Sequence, residues 1–260
     1  MTTNRFGLSR SIPADVKREV RQRCGFGCVI CGLGFYDYEH FAPDYADASE
    51  HRAEGITLLC PRCNQRRARG TLSRETVAAA DRDPACLRNG FTRESLDVSP
   101  DRLALRFASA TFVNCKTAIE INGFPILEIV RPDHAGEPLQ LSGLFCDPQG
   151  RVTLRIRNNE WRAYSDLWDV ECVGPRIVVR TARGEIALVL RTDPPELLVV
   201  ERIDMGFEKC LIRGDERGMQ FSLDGGQAWE SIRDCYMENC RVGISLANDG
   251  LYKRSNDLRY

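Results

Sequence analysis

Gly27-Cys28-Val29-Ile30-Cys31-Gly32 and Leu58-Leu59-Cys60-Pro61-Arg62-Cys63-Asn64 are the two stretches on which the reading of this chain turns. Each sets a pair of cysteines in a tight turn marked by glycine or proline, the spacing at which two thiolates reach one tetrahedral ion. Two such turns complete a shell, so Cys28, Cys31, Cys60 and Cys63 are expected to hold a structural zinc ion that leaves no position open to water or substrate. A staple of this kind suits a region too small to build much core of its own. Cys24 belongs instead to the apolar stripe of a helix and stays outside the ligand set.

Working outward, Ser11 to Cys24 reads as a helix, with Pro13 near its first turn, Val16, Val20 and Cys24 repeating every four residues, and Gly25 to close it. Tyr36 to Phe41 and Ile56 to Leu59 are short strand candidates, rich in aromatic and branched residues, joined by a polar loop. Pro61 opens a helix that runs to Arg69 and stops at Gly70. Ser73 to Ala80 predicts a further helix, and Asp81 to Pro100, with its turn residues Asp83-Pro84, Asn89-Gly90 and Ser99-Pro100, reads as a linker.

Between the cysteine turns lies Tyr36-Asp37-Tyr38-Glu39-His40-Phe41-Ala42-Pro43, and Asn64 follows the second turn directly. Over about residues 12 to 70 the chain resembles the HNH endonucleases, the ββα-metal nucleases, in their four-cysteine zinc-bearing form. The resemblance rests on the acidic-His pair before a proline, on Leu-Leu-Cys-Pro-Arg-Cys-Asn, and on the basic helix. It implies His40 as the general base, Glu39 as the acidic ligand of a catalytic Mg²⁺ or Mn²⁺, and Asn64 as a second ligand of that ion. The chemistry is coherent in its own right: phosphodiester hydrolysis needs a base near neutrality and a cation to offset phosphate charge, and carboxylate plus carboxamide oxygens suit a hard ion. Of the histidines His40, His51 and His134, only His40 stands between the cysteine turns beside a carboxylate on a strand; His51, in a polar loop, reads as solvated or as a substrate contact. Two positions depart from the family pattern. Glu39 stands where Asp is usual, leaving Asp37 as a further candidate ligand, and Gly55 stands near the place of the family's middle Asn. Strand alternation would also send Glu39 and His40 to opposite faces, so the strand should end or distort there if both act.

Arg62, Arg66, Arg67 and Arg69 crowd the short helix after the second turn, where guanidinium forks can grip nucleic-acid phosphates without reading sequence. Net charge is −1 overall. Residues 1 to 70 carry eleven Lys/Arg against eight Asp/Glu, so this part is +3 and the remainder −4. The basic part is the part that holds the cysteine turns.

Of the twelve cysteines, those outside the pairs, such as Cys86, Cys115, Cys146, Cys172 and Cys210, lie in apolar surroundings and read as reduced core thiols. With no apolar run long enough to span a membrane and no secretory signal, a cytoplasmic protein is expected. From about residue 98 the pattern changes to short alternating runs, among them Leu103–Phe107, Val152–Ile156, Ile177–Val179, Ile186–Leu190 and Leu197–Val200. Asn114-Cys115-Lys-Thr-Ala-Ile-Glu-Ile and Asn239-Cys240-Arg-Val-Gly-Ile-Ser-Leu echo each other as a repeated strand unit. Trp161, Trp168 and Trp229 are expected in the core of this part.

The expected class is therefore α+β: an N-terminal zinc-stapled ββα-metal module with flanking helices and linker at residues 1–98, then a mainly-β domain at 99–260, a sandwich or rolled sheet ahead of a parallel β-helix. The expected activity is metal-dependent cleavage of DNA, with RNA left open, as in a bacterial restriction or anti-phage effector. The β-rich domain would sense a ligand or protein partner, or mediate homo-oligomer assembly. The competing readings are a zinc-organised DNA-binding module that has lost catalysis, and a regulatory protein whose β-domain binds a small molecule.

Overall fold

The computed structural model describes residues 3–134 and 136–248; the last stretch of the expected second domain, 249–260, lies outside the described residues. Among the described residues, helices are confined to the first ninety. α1 (Ala14–Cys24) starts after Pro13 and ends at Gly25, whose left-handed backbone (φ 71°) lets the Phe26 N–H return 2.9 Å to the Arg21 carbonyl. β1 (Asp37–His40) and β2 (Ile56–Leu59) pair antiparallel, Asp37 opposite Leu59 and His40 opposite Ile56. α2 (Pro61–Ala68) follows with proline at its first position, where no N–H is needed. α3 (Arg74–Arg82) is capped by Ser73, whose hydroxyl accepts the Thr76 N–H at 3.1 Å.

The stretch expected as a linker is structured. It holds the end of α3, the single-turn α4 (Ala85–Asn89) and β3 (Phe91–Ser95). The turn residues Asp83-Pro84 and Asn89-Gly90 bracket α4, and Phe91–Ser95 alternates so that Thr92 is fully buried.

Beyond it the chain is nearly all strand: β4 (Ala104–Phe107), β5 (Ala110–Val113), β6 (Thr117–Ile121), β7 (Phe124–Val130), β8 (Gln140–Cys146), β9 (Val152–Arg157), β10 (Glu160–Tyr164), β11 (Asp169–Val173), β12 (Arg176–Ala182), β13 (Glu185–Asp193), β14 (Leu197–Phe207), β15 (Cys210–Asp215), β16 (Gly218–Ser222), β17 (Glu230–Ile232), β18 (Tyr236–Glu238) and β19 (Val242–Leu246). A seven-stranded sheet has the order β19-β6-β7-β8-β9-β10-β3, and a ten-stranded sheet runs from β11 to β17 in sequence order with β4, β5 and β18 branching from β14. Both sheets feed one apolar cluster that includes Phe107, Phe112, Phe145 and Trp161. A second cluster joins Val20 and Cys24 of α1 to Val29, Ile56, Leu58, Leu59 and Val77. Of the three tryptophans, Trp161 is fully buried, whereas Trp168 and Trp229 are half-buried under the guanidinium groups of Arg18 and Arg213.

The α+β expectation, with a ββα-metal module as its first half, is thus corrected: the chain is mainly β, built on two large sheets. Four short helices among the described residues cannot balance strands that take up most of the chain from residue 91 to 246, and β3, from the first 98 residues, is itself the edge of the seven-stranded sheet through its pairing with β10. Among the described residues no helix is long and apolar enough to cross a membrane.

The echoed segments pair with each other. β19 lies parallel to β6, Ile119 beside Ile244 and Ile121 beside Leu246, and β18 lies parallel to β5 at the same offset. Asn114 and Asn239 both turn through positive φ (51° and 58°), and the Asn114 amide donates to Asn239 Oδ1 at 2.5 Å. Gly243 departs from the residue at its repeat mate, Ala118, because a Cβ there would lie 2.4 Å from the Phe112 ring.

The helical part is fastened to the β-body by charge. Arg21, buried on α1, grips Asp169 of β11 with two bonds of 2.8 Å, reaches Glu171 at 2.9 Å and donates to the Tyr38 hydroxyl of β1 at 2.8 Å; Arg180 closes the cluster on Asp169 and Glu171. Removing one member of a buried pair strands the other without water, which costs about 3–5 kcal/mol. Asp169→Ala is expected to lower unfolding free energy by that order in a denaturant titration, while Arg176→Ala, which removes an exposed pair with Glu201, leaves it nearly unchanged.

Candidate active site and metal centre

The four-cysteine cluster is built by backbone turns. After Cys28 the chain folds so that the Gly32 N–H meets the Cys28 carbonyl at 2.8 Å, with Gly32 left-handed (φ 77°), and the Cys28 N–H meets the Leu33 carbonyl at 2.8 Å. The second turn is the start of α2, where the Cys60 sulfur accepts the Cys63 N–H at 3.4 Å. The Val29 N–H to Leu58 carbonyl bond, 3.0 Å, holds the turns together. Gly27 and Gly34 bear no side chain because a Cβ would strike Thr92 Oγ1 at 2.4 Å and the Trp161 ring at 2.3 Å, so the first turn rests directly on the seven-stranded sheet.

The ligand atoms of Cys28, Cys31, Cys60 and Cys63 all lie within 4.8 Å of one another. Cys31 Sγ is 3.6 Å from Cys60 Sγ and 3.9 Å from Cys63 Sγ. A zinc tetrahedron with Zn–S bonds of about 2.3 Å has edges of about 3.8 Å, so the spacing fits that ion without rearrangement. Zinc would replace the thiol protons and join the β1–β2 pair, the first turn and α2 at one point. Cys24 stays apart as expected, buried against Thr57 and Asp81.

Glu39 and His40 leave β1 on different sides. Glu39 faces α2, where its carboxylate accepts from Arg67 at 2.6 Å and the Asn64 side chain is near enough to favour its charged form. Burial pushes its pKa above the ordinary carboxylate value, against the pull of Arg67 and Asn64. His40 is the last residue of β1 and nearly buried (8 %), edge-on to the Tyr45 ring. Its Nε2 is 3.1 Å from Nδ1 of His51, whose Nε2 is 2.9 Å from the Ser9 carbonyl. Burial, and then the neighbouring His51, hold the His40 pKa below the ordinary imidazole value.

Each sequence-predicted residue thus has a definite place. Asn64 lies in the first half of α2, the helix onto which Glu39 faces, and His40 stands at the end of the strand that carries Glu39. Arg62, Arg66 and Arg69 are exposed along and just beyond α2, whereas Arg67 is folded inward onto Glu39, Asp44 and the His40 carbonyl. Asp37 is exposed at the far end of β1. Position 55 admits no side chain: a Cβ on Gly55 would sit 2.5 Å from the Ala42 carbonyl, and the Gly55 carbonyl accepts the Phe41 N–H at 3.0 Å. His51, read from sequence as a loop residue either solvated or touching substrate, is half-buried against His40; the signal that could have found this contact was the scarcity of histidine in the chain.

No protein-family model, curated protein or solved structure matches the chain. The four-thiol cluster is the feature of the expected family that the geometry itself supports.

Purified protein is expected to carry one zinc per chain by native mass spectrometry. Cys63→Ser should lose it and strongly destabilise residues 12–77, read as accelerated amide hydrogen exchange there; full zinc occupancy in that variant would refute the ligand assignment.

Proposed function

We propose that this chain is a divalent-metal-dependent endonuclease of the HNH kind, with DNA as its substrate and the zinc as a purely structural ion. The observation that carries the reading is the junction of β1 and α2: the Glu39 carboxylate faces the helix that carries Asn64, and a nearly buried imidazole ends the strand. Glu39 and Asn64 offer hard oxygen donors, which fit Mg²⁺ or Mn²⁺. Such an ion, when bound, offsets charge on the phosphate and the departing oxygen. His40 takes the proton of the attacking water, its neutral ring kept in place by the packing around it. Arg62, Arg66 and Arg69 stand exposed near the site for phosphate contacts, which would position the backbone without reading sequence. RNA remains a substrate for the same chemistry. A cytoplasmic role in restriction or anti-phage defence, with the β-body responding to a ligand, a protein partner or a second copy, suits a small nuclease joined to a large body of strands.

One observation favours a second reading, a zinc-organised nucleic-acid-binding module without catalysis: the Glu39 carboxylate already has a cation, Arg67, at 2.6 Å. The two readings separate in a plasmid-cleavage assay with Mg²⁺ or Mn²⁺. Under the nuclease reading the wild type cuts, His40→Ala lowers the rate by roughly 10²- to 10⁴-fold, and Asn64→Ala lowers it with a raised metal requirement. Cleavage untouched by both substitutions would remove the assignment. Binding without cleavage under every metal tried would establish the second reading.

A further inference from the structure

The imidazole of His51 is tied at both nitrogens, and those ties decide where protons sit. The Ser9 carbonyl can only accept, so the bond at 2.9 Å requires that His51 Nε2 carry its hydrogen. In a neutral ring Nδ1 is then a bare lone pair. His40 Nε2, 3.1 Å away, must supply the hydrogen for that contact, which leaves His40 Nδ1 without one. The relay runs from the Ser9 carbonyl through His51 to His40 and ends in a free lone pair on the only histidine that closes β1.

The anchor of this relay is itself held. Asn4 donates its amide to the Tyr45 and Ala48 carbonyls at 2.6 and 2.7 Å and accepts the Leu8 N–H at 3.0 Å, and the Tyr45 hydroxyl donates to the Leu8 carbonyl at 2.7 Å. Arg10 lies over the Tyr45 ring. The segment before α1 is therefore bound to the loop that carries His51, and Tyr45, the residue it grips, packs edge-on against His40.

We propose that His51 is a positioning residue for His40: held by the Ser9 carbonyl, it fixes the His40 ring in the tautomer whose Nδ1 can accept a proton from water. This rests on the reading of His40 as the general base. The geometry gives the role a site-specific reason, because position 55 has no room for any side chain, and the support for His40 must come from elsewhere in the loop.

The test uses the full chain and two readouts. Proton–nitrogen correlation spectra of the three imidazoles, at alkaline pH where they are neutral, should show the His40 proton on Nε2 in wild type and a mixture of tautomers in His51→Ala. In the plasmid assay His51→Ala should lower kcat by up to about 100-fold with KM for DNA unchanged, and His51→Asn, whose amide oxygen can accept the same hydrogen, should recover most of the loss. Asn4→Ala, which loosens the anchor without touching either ring, should fall between them. A wild-type His40 with its proton on Nδ1, or His51→Ala at full kcat beside an inactive His40→Ala, overturns the positioning role while leaving the nuclease reading intact. Absence of metal-dependent cleavage by the wild type instead sinks that reading and the catalytic role with it, and the spectra then decide the proton assignment alone.

Discussion

Four thiols that must meet at one point govern the first part of this chain. Neither cysteine turn lies inside a large core of its own, and β1 and β2 are four residues each, too short to persist as an isolated pair in water. Bringing Cys28 and Cys31 against Cys60 and Cys63 locks the end of β2 to the start of α2, which decides that Asn64 emerges beside Glu39 and not one turn farther along. The candidate chemistry depends on that register, because a helix starting one residue later would turn Asn64 by about 100° away from the strand.

Much of this was legible in residue spacing. Cysteine pairs, the proline at the start of α2 and the glycine after α1 are local signals, and β2 falls on the expected residues 56–59 because Ile56-Thr57-Leu58-Leu59 is wholly buried. The class was not legible. Helices with clear caps dominate the first ninety residues and drew the reading toward α+β, although the strands that fill the rest are separated by turn residues such as Asn122-Gly123, Asn158-Asn159 and Arg183-Gly184; what no spacing encodes is that β3, inside the helical part, joins the seven-stranded sheet. The passage from Asp81 to Pro100 misled for a related reason: its turn dipeptides are real turns, but turns inside a packed region rather than along a linker. In the site, Glu39, His40 and Asn64 could be named from their neighbours in sequence, whereas the partners that constrain them could not. Arg67 looked like one more phosphate-binding guanidinium, and only the fold reveals that it turns back onto two acids. His51 is eleven residues from His40, a separation bridged by loop shape, which no periodicity encodes.

The β-body is more than a neighbour to this site. Its edge strand β11 would otherwise present unpaired backbone groups to other chains, and α1 covers it, with Arg21 set into the acids of that edge. The same guanidinium touches Tyr38, the residue before Glu39. The strand that carries the candidate acid and base therefore shares a desolvated charge cluster with the large sheet, a physical contact through which rearrangement of β11 and β12 would be felt at β1.

The self-pairing of the repeated unit has a consequence for how the chain is made. Its two copies are 125 residues apart along the chain, so β5 and β6 keep one margin open until the second copy has been made. Closing so long a loop is entropically costly and slow compared with local hairpins. The four-cysteine segment, whose thiols span far fewer residues, can assemble before that margin closes.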